Sequence, residues 1–221
     1  MYIVKRTNLP PAINADWDDV SWSSANVINI AEIRPESSSF RPKTECKLLH
    51  DDKNIYGLFR IFDRYVRAVA AKYNDSVCKD SCVEFFVEPP GGRGYMNFEF
   101  SGNGIMLLQH IRDCRRTEDG FADFNWVSEK LAKEIEVFTT LPKRIEPEIT
   151  EELTWRLGFK IPLSVFEAEL QTDFGKLSGQ EWRANLYKCA GHSSHPHWIS
   201  YAPLTAFNFH SPQCFAPFKF E

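Results

Sequence analysis

The sequence predicts an all-β protein: a two-sheet antiparallel β-sandwich, jelly-roll-like, with at most one or two short helices. Three observations carry this expectation. Apolar side chains recur with a period of two, glycine and proline punctuate the apolar runs at short intervals, and the strand-favouring residue phenylalanine occurs 18 times in 221 residues. Helical periodicity is hard to find. A chain of this length buries a full core as one sandwich, so a single domain is expected over residues 1–221. No internal repeat, linker or low-complexity segment divides it.

Taken in order, "ECKLLH" (Glu45 to His50) and "IYGLFRIF" (Ile55 to Phe62) read as a hairpin. Its turn, "DDKN", uses the tolerance of Asp and Asn for tight backbone geometry. The second run is apolar almost throughout, which predicts a central strand covered on both faces. "SCVEFFVE" (Ser81 to Glu88) ends at "PPGGRG", where prolines stop pairing and glycines permit the reversal. "YMNFEFS" and "IMLLQHI" follow, joined through the hairpin turn "GNG".

"KEIEVFTTL" and "LTWRLGFKI" form the next pair, and in the second Leu153, Trp155, Leu157, Phe159 and Ile161 fall on one face. Residues Ile161 to Leu170 hold one or two turns of helix, with Pro162 at the first helical position and Ser164 as a local cap. "EWRANLYKCA" returns to strand, and "PFKF" is the last one.

The formal charge of -4 argues against a nucleic-acid partner, which needs a surplus of Lys and Arg on one face. "MYIVKRTNLPP" has two basic residues but no apolar stretch after them, so neither a secretory signal nor a membrane anchor is read there. The six cysteines show no CxxC or zinc-ribbon spacing. Reduced thiols in a cytoplasm are the expectation, with a secreted form left open if a leader was removed.

Chemistry-bearing clusters are few. His192, His195, His197 and His210 lack HExxH spacing, and Pro196 interrupts any helix, so a turn is expected there rather than zinc. No GxSxG elbow is present. Met96, Met106 and His110 match haem-ligand types, but both methionines sit on apolar strand positions that core packing explains. Asp16, Asp18 and Asp19 offer hard oxygens for a calcium ion without an EF-hand pattern; the competing reading is a turn whose Trp17 and Trp22 pack onto the sandwich.

The informative feature is what the second face of each strand holds. Cys82, Glu84 and Phe86 share one side, Tyr95, Asn97 and Glu99 another, and Arg183, Asn185 and Tyr187 a third. If these strands are neighbours, their polar sides merge into a patch of acids, amides, a guanidinium and a phenol. Sugars present hydroxyls that donate and accept plus an apolar face of C–H groups, so they need such polar groups beside a flat aromatic. Trp198 and Tyr201 supply that surface. The alternative is a solvated sheet face paired across strands.

The ordered set "INADWDDVSW", "CKLLHDDKNIYGLFRIFD", "VCKDSCVEFFVEP", "YMNFEFSGNGIML", "WRLGFKIPLSVF", "RANLYKC", "HWISYAP" and "FHSPQCFAPFKF" resembles carbohydrate-binding module family 9 and its stand-alone relatives, from about Ile13 to Phe220. The resemblance implies a jelly-roll-like sandwich and a non-catalytic sugar site, in some members for the reducing ends of plant-polysaccharide chains. It implies that a pair of tryptophans clamps the ring. Glu84 matches the family's acidic strand motif and Trp198 its later tryptophan. Where the earlier tryptophan belongs stand Val77 and Cys78, and Tyr73 is the nearest aromatic upstream. Calcium ions of the family would be structural here.

The function expected is therefore non-catalytic binding of a mono- or oligosaccharide, or of a polysaccharide chain end, by Trp198 with Glu84, Asn97, Glu99, Arg183, Asn185 and Tyr187. No cofactor is required, and neither nucleic acid nor membrane is a partner. Two alternatives stand beside it: a glycoside-processing enzyme using two of Asp80, Glu84 and Glu99, and a protein-interaction domain without a sugar site.

Overall fold

A computed structural model describes residues 1–118 and 120–221. In chain order the strands are β1 (Tyr2–Arg6), β2 (Val27–Ile30), β3 (Glu32–Ile33), β4 (Lys43–His50), β5 (Asn54–Asp63), β6 (Val66–Ala68), β7 (Ser81–Glu88), β8 (Tyr95–Ser101), β9 (Met106–Thr117) and β10 (Gly120–Trp126), then β11 (Glu136–Thr139), β12 (Ile145–Ile149), β13 (Leu153–Pro162), β14 (Glu181–Ala190), β15 (Trp198–Ser200) and β16 (Ala216–Phe220). Helix α1 (Glu129–Ala132) precedes β11, and α2 (Leu163–Leu170) follows β13. No helix among the described residues is long and apolar enough to cross a membrane.

Hydrogen bonding runs without a break in the order β10-β9-β8-β7-β14-β16-β1-β4-β5-β13-β11, and β6 pairs β12 separately. Strand β1 joins the two layers. Tyr2 to Val4 lie parallel to β16, whereas Lys5 and Arg6 lie parallel to β4. These two pairings correct the purely antiparallel expectation; the other pairings among the described residues are antiparallel. A parallel neighbour needs a long crossover, and the excursion between β1 and β4 supplies it.

The layers meet through aromatic rings. Phe159 of β13 stacks against Phe85 of β7 and Phe100 of β8, with centroids 5.9 and 5.3 Å away. Trp155, Leu157, Phe159 and Ile161 are fully buried, as the period of two in β13 requires. Burying each such side chain contributes about 1.5–3 kcal/mol. Gly57 of β5 makes room for this filling, since a Cβ there would lie 2.0 Å from Cζ of Phe159.

Strand β5 is covered on both faces. Ile55, Phe59 and Ile61 enter the interlayer core, while Tyr56 and Leu58 pack with Trp17 and Trp22 of the N-terminal turn. In that turn Asp19 accepts the Ser21 amide at 2.8 Å, and Asp16 accepts the Asp18 amide at 3.1 Å. The β4–β5 turn places Asp52 at φ 72°, the left-handed geometry expected of Asp.

Helix α2 spans two turns, but Pro162 occupies its N-cap without a side-chain hydrogen bond. Ser164 does not cap; its hydroxyl donates to Glu134 at 3.3 Å. Proline's fixed φ suits either side of that boundary, so the composition located the helix start only to within a residue.

A lysine–aspartate pair stands inside the core. Lys188, fully buried on β14, donates through Nζ to Nε2 of His197 at 2.8 Å and to the Cys189 carbonyl at 3.0 Å, and lies 3.4 Å from Oδ2 of Asp63. Asp63 also accepts the Trp155 indole N–H at 2.9 Å. The expected histidine turn holds His192 in solvent, but it buries His197 in this network and stacks His195 on Tyr65 with centroids 3.6 Å apart.

Candidate functional site: a polar pocket on the outer face of the β14–β7–β8 sheet

The strands carrying the polar faces are neighbours, in the order β14, β7, β8, β9. The register sets Tyr187 against Glu84 and Glu84 against Glu99, forming one row across three strands. Beside it lie the rows Asn185, Phe86, Asn97, Gln109 and Cys189, Cys82, Ser101. This alignment follows from the period of two, because residues two apart on a strand face the same side.

A pocket of about 200 Å³ opens over the Glu84–Glu99 pair. Glu84, Glu99 and Trp198 line it, joined by Cys78, Arg116, Phe207, Asn208, Phe209 and His210. Trp198 is half-buried and Phe207 is exposed. Ser37 fixes the indole's backbone on both sides: its hydroxyl accepts from the Trp198 amide at 3.0 Å and approaches the Trp198 carbonyl at 3.3 Å.

The floor is dry and acidic. Glu84 and Glu99 are 1 % and 5 % exposed. Burial, reinforced by Cys189, Glu99 and Cys78, raises the Glu84 carboxyl well above its ordinary range. Burial likewise lifts Glu99 to about 7, against the opposing pull of the Asn97 hydrogen bond and the Arg116 charge. The Cys189 thiol lies 3.2 Å from Oε1 of Glu84. A protonated carboxyl beside an ionisable one offers a donor and an acceptor together, the combination a sugar hydroxyl takes.

The other expected contacts sit elsewhere. Asn97 is fully buried and donates to Oε1 of Glu99 at 2.8 Å and to Gln109 at 3.1 Å, so it orients Glu99 from below. Asn185 donates to the Ala202 carbonyl at 3.2 Å and accepts the Ala202 amide at 2.9 Å. The Tyr187 hydroxyl donates to the Phe209 carbonyl at 2.9 Å while its ring stacks on Phe209 at 4.1 Å. Arg183 pairs with Glu88 and donates to the carbonyls of Pro212 and Phe215. These three hold down the segment 201–215, which forms one wall of the pocket.

Tyr201 turns to the interlayer side and meets Phe218 edge-on at 5.8 Å, so it supplies no stacking surface. Tyr73 donates to the Val127 carbonyl at 2.9 Å and packs against the core. Asp80 is spent on structure: Oδ2 accepts from the Val69 and Ala70 amides and the Ser101 hydroxyl.

Sequence reasoning missed Arg116, Phe207, Asn208 and Phe209, and it weighed His210 only as a metal ligand, not as a lining of this pocket. Arg116 lies over the Phe121 ring at 4.1 Å. The tail "TAFNFH" signals aromatic density, and Phe207 and Phe209 alternate with Asn208 and His210, but nothing local says which way its rings point.

The structure thus holds two packed β-layers and a small, aromatic-edged polar hollow on an outer face. The chain belongs to carbohydrate-binding family 9, whose model matches residues 17–220. Among solved structures, a candidate carbohydrate-binding protein from Bacteroides uniformis is 26% identical with a TM-score of 0.85, covering 99% of this chain and 98% of that one. A family 9 module from Caldicellulosiruptor kristjanssonii in complex with glucose is 12% identical, TM-score 0.64, covering 99% and 95%. The same organism's module in complex with cellotriose is 14% identical, TM-score 0.65, covering 100% and 93%, and these two likenesses speak to fold alone. No curated protein matches the sequence significantly.

Proposed function

We propose that residues 1–221 act as one binding module that holds one or two sugar rings at the end of a saccharide, without cleaving it. Trp198 offers the stacking face, Phe207 an edge, and Glu84, Glu99 and Arg116 the polar contacts. The observation that carries this reading is the half-buried indole standing beside two buried carboxyls whose proton affinity is raised. The pocket of about 200 Å³ lies below the range of about 300–1,000 Å³ usual for drug-sized ligands, which suits a chain end better than a chain interior. The glucose and cellotriose held by the Caldicellulosiruptor kristjanssonii modules support a glucan end as the ligand class.

Binding without turnover fits the carboxyl arrangement. Glu84 and Glu99 are both buried in the sheet face, whereas a glycosidase needs its two carboxyls free to flank the scissile bond. A stacked ring and a few solvent-competed hydrogen bonds leave an affinity of roughly micromolar to millimolar. Calorimetric titration with glucose, cellobiose, cellotriose and reduced cellotriose tests the reading, alongside incubation with chromogenic glycosides. Saturable heat with the first three and no released chromophore is expected. Heat with none of them, or chromophore release that Glu84→Gln abolishes, would reject it.

A further inference from the structure

We infer that the buried cluster behind Glu84, beneath the pocket, is a binding site for one thiophilic divalent cation of the zinc type, held by the sulfurs of Cys82 and Cys189 and a carboxylate oxygen of Glu84. The sheet register builds this set. Cys82 and Glu84 are two residues apart on β7 and project from the same face, and Cys189 of β14 stands directly opposite Cys82. The three donor atoms lie within 4.8 Å of one another. Oε1 of Glu84 is 3.2 Å from the Cys189 sulfur and 3.8 Å from the Cys82 sulfur. Zinc bonds of about 2.3 Å to sulfur and about 2.0–2.2 Å to oxygen, in a tetrahedron, separate neighbouring donors by about 3.5–3.8 Å. A cation thus reaches all three with small side-chain adjustments.

A second observation points to a cation independently. Cys82, Glu84 and Cys189 are all buried, and buried Glu99 stands across from Glu84. Among the described residues, no lysine, arginine or histidine forms a salt bridge with either carboxylate. Glu99 is partly satisfied by the Asn97 amide and the Arg116 charge, which leaves Cys82, Glu84 and Cys189 as three acid-forming groups packed together in a buried place, satisfied either by protons or by a metal. The donors select its class. Two sulfurs favour zinc or cadmium, whereas calcium takes six or more oxygens. The thiols bind as thiolates, and their protons pass to solvent as the metal enters.

This site does not depend on sugar binding, and three protein donors leave a fourth tetrahedral position. The test therefore omits sugar. Wild-type protein, stripped with EDTA and kept reduced with a phosphine, is titrated with cadmium while the ultraviolet thiolate-to-cadmium charge-transfer absorption is followed. Saturation at one equivalent is expected, with the absorption lost in the Cys82→Ser/Cys189→Ser double variant. No absorption in the wild type, or absorption unchanged in the double variant, overturns the proposal; the latter would assign the metal to exposed Cys78 or another thiol. Should the double variant fail to fold, X-ray absorption of the zinc-loaded wild type decides. Two sulfur neighbours at about 2.3 Å support the site, and fewer overturn it.

Discussion

The ring of Phe207 meets the indole of Trp198 edge-on, with centroids 4.8 Å apart and planes at 80°. The two rings form an open corner rather than parallel walls, so one face of the indole carries the stacking and Phe207 fences its side. Trp198→Ala should weaken sugar binding at least about tenfold, or about 1.4 kcal/mol. Phe207→Ala should cost less. Phe207→Ala should melt near the wild-type temperature and Trp198→Ala lower but still folded, because the indole also packs against Val77, Cys82, Leu107 and Cys189; calorimetry showing wild-type affinity in folded Trp198→Ala would move the platform elsewhere.

Tyr187 acts on the pocket through its wall. Its hydroxyl donates to the Phe209 carbonyl, and its ring stacks on the Phe209 ring. Tyr187→Phe keeps the stacking and loses a hydrogen bond of about 0.5–1.5 kcal/mol. Limited proteolysis should then cut residues 201–215 faster, with sugar affinity reduced a few-fold. Identical cleavage rates in the two proteins would show that the hydroxyl does not anchor the wall.

The Lys188–Asp63 pair should behave as a buried ion pair. Lys188→Met leaves the Asp63 carboxylate without its cation, and losses of about 3–5 kcal/mol accompany such removals. Adding Asp63→Asn should recover part of that loss, because the amide oxygen still accepts the Trp155 indole N–H while the Arg64 amide loses its acceptor. Urea denaturation of the four proteins measures the coupling. Additive losses would mean that the two groups are energetically independent.

His197 gives stability an acid limit. Burial, then the Lys188 charge, lowers its pKa far below the ordinary histidine value. A histidine with a depressed folded-state pKa contributes its stability fully above the unfolded value of about 6.5, and loses it as pH falls towards the folded value. Between pH 6.5 and 4.5 its share of the loss should approach about 1.4 kcal/mol per pH unit. His197→Gln should be less stable at pH 7.5 but lack this component. Urea denaturation at pH 7.5 and 5 checks it: the gap between the two proteins must narrow at the lower pH.

Gly57→Ala should be costly although it adds one methyl group, since the new Cβ would meet the Phe159 ring. Overpacking of this kind typically costs about 1–3 kcal/mol. Phe159→Leu should be less harmful in the alanine background than in the wild type, a coupling that a double-mutant cycle reads directly.

The strand faces of Glu84, Asn97, Glu99 and Tyr187 were legible from alternation alone, and so were the one-sided burial of β13, the double coverage of β5 and the hairpin at Asp51 to Asn54. Each rests on residues a few positions apart, whose relative direction the backbone fixes. Sequence also named both ends of the pocket, Glu84 and Trp198, through the family resemblance. Tertiary structure decided the rest. Asn185, Tyr187 and Arg183 have the chemistry of sugar ligands, but segment 201–215 folds over them and takes their hydrogen bonds. Phe207 reaches the pocket from a loop and Arg116 from the far end of β9, and Lys188 of β14 meets Asp63 of β5, 125 positions earlier in the chain, across the core. A periodic backbone determines which way a strand residue points; which partner meets it depends on loop closure and layer packing, which are non-local.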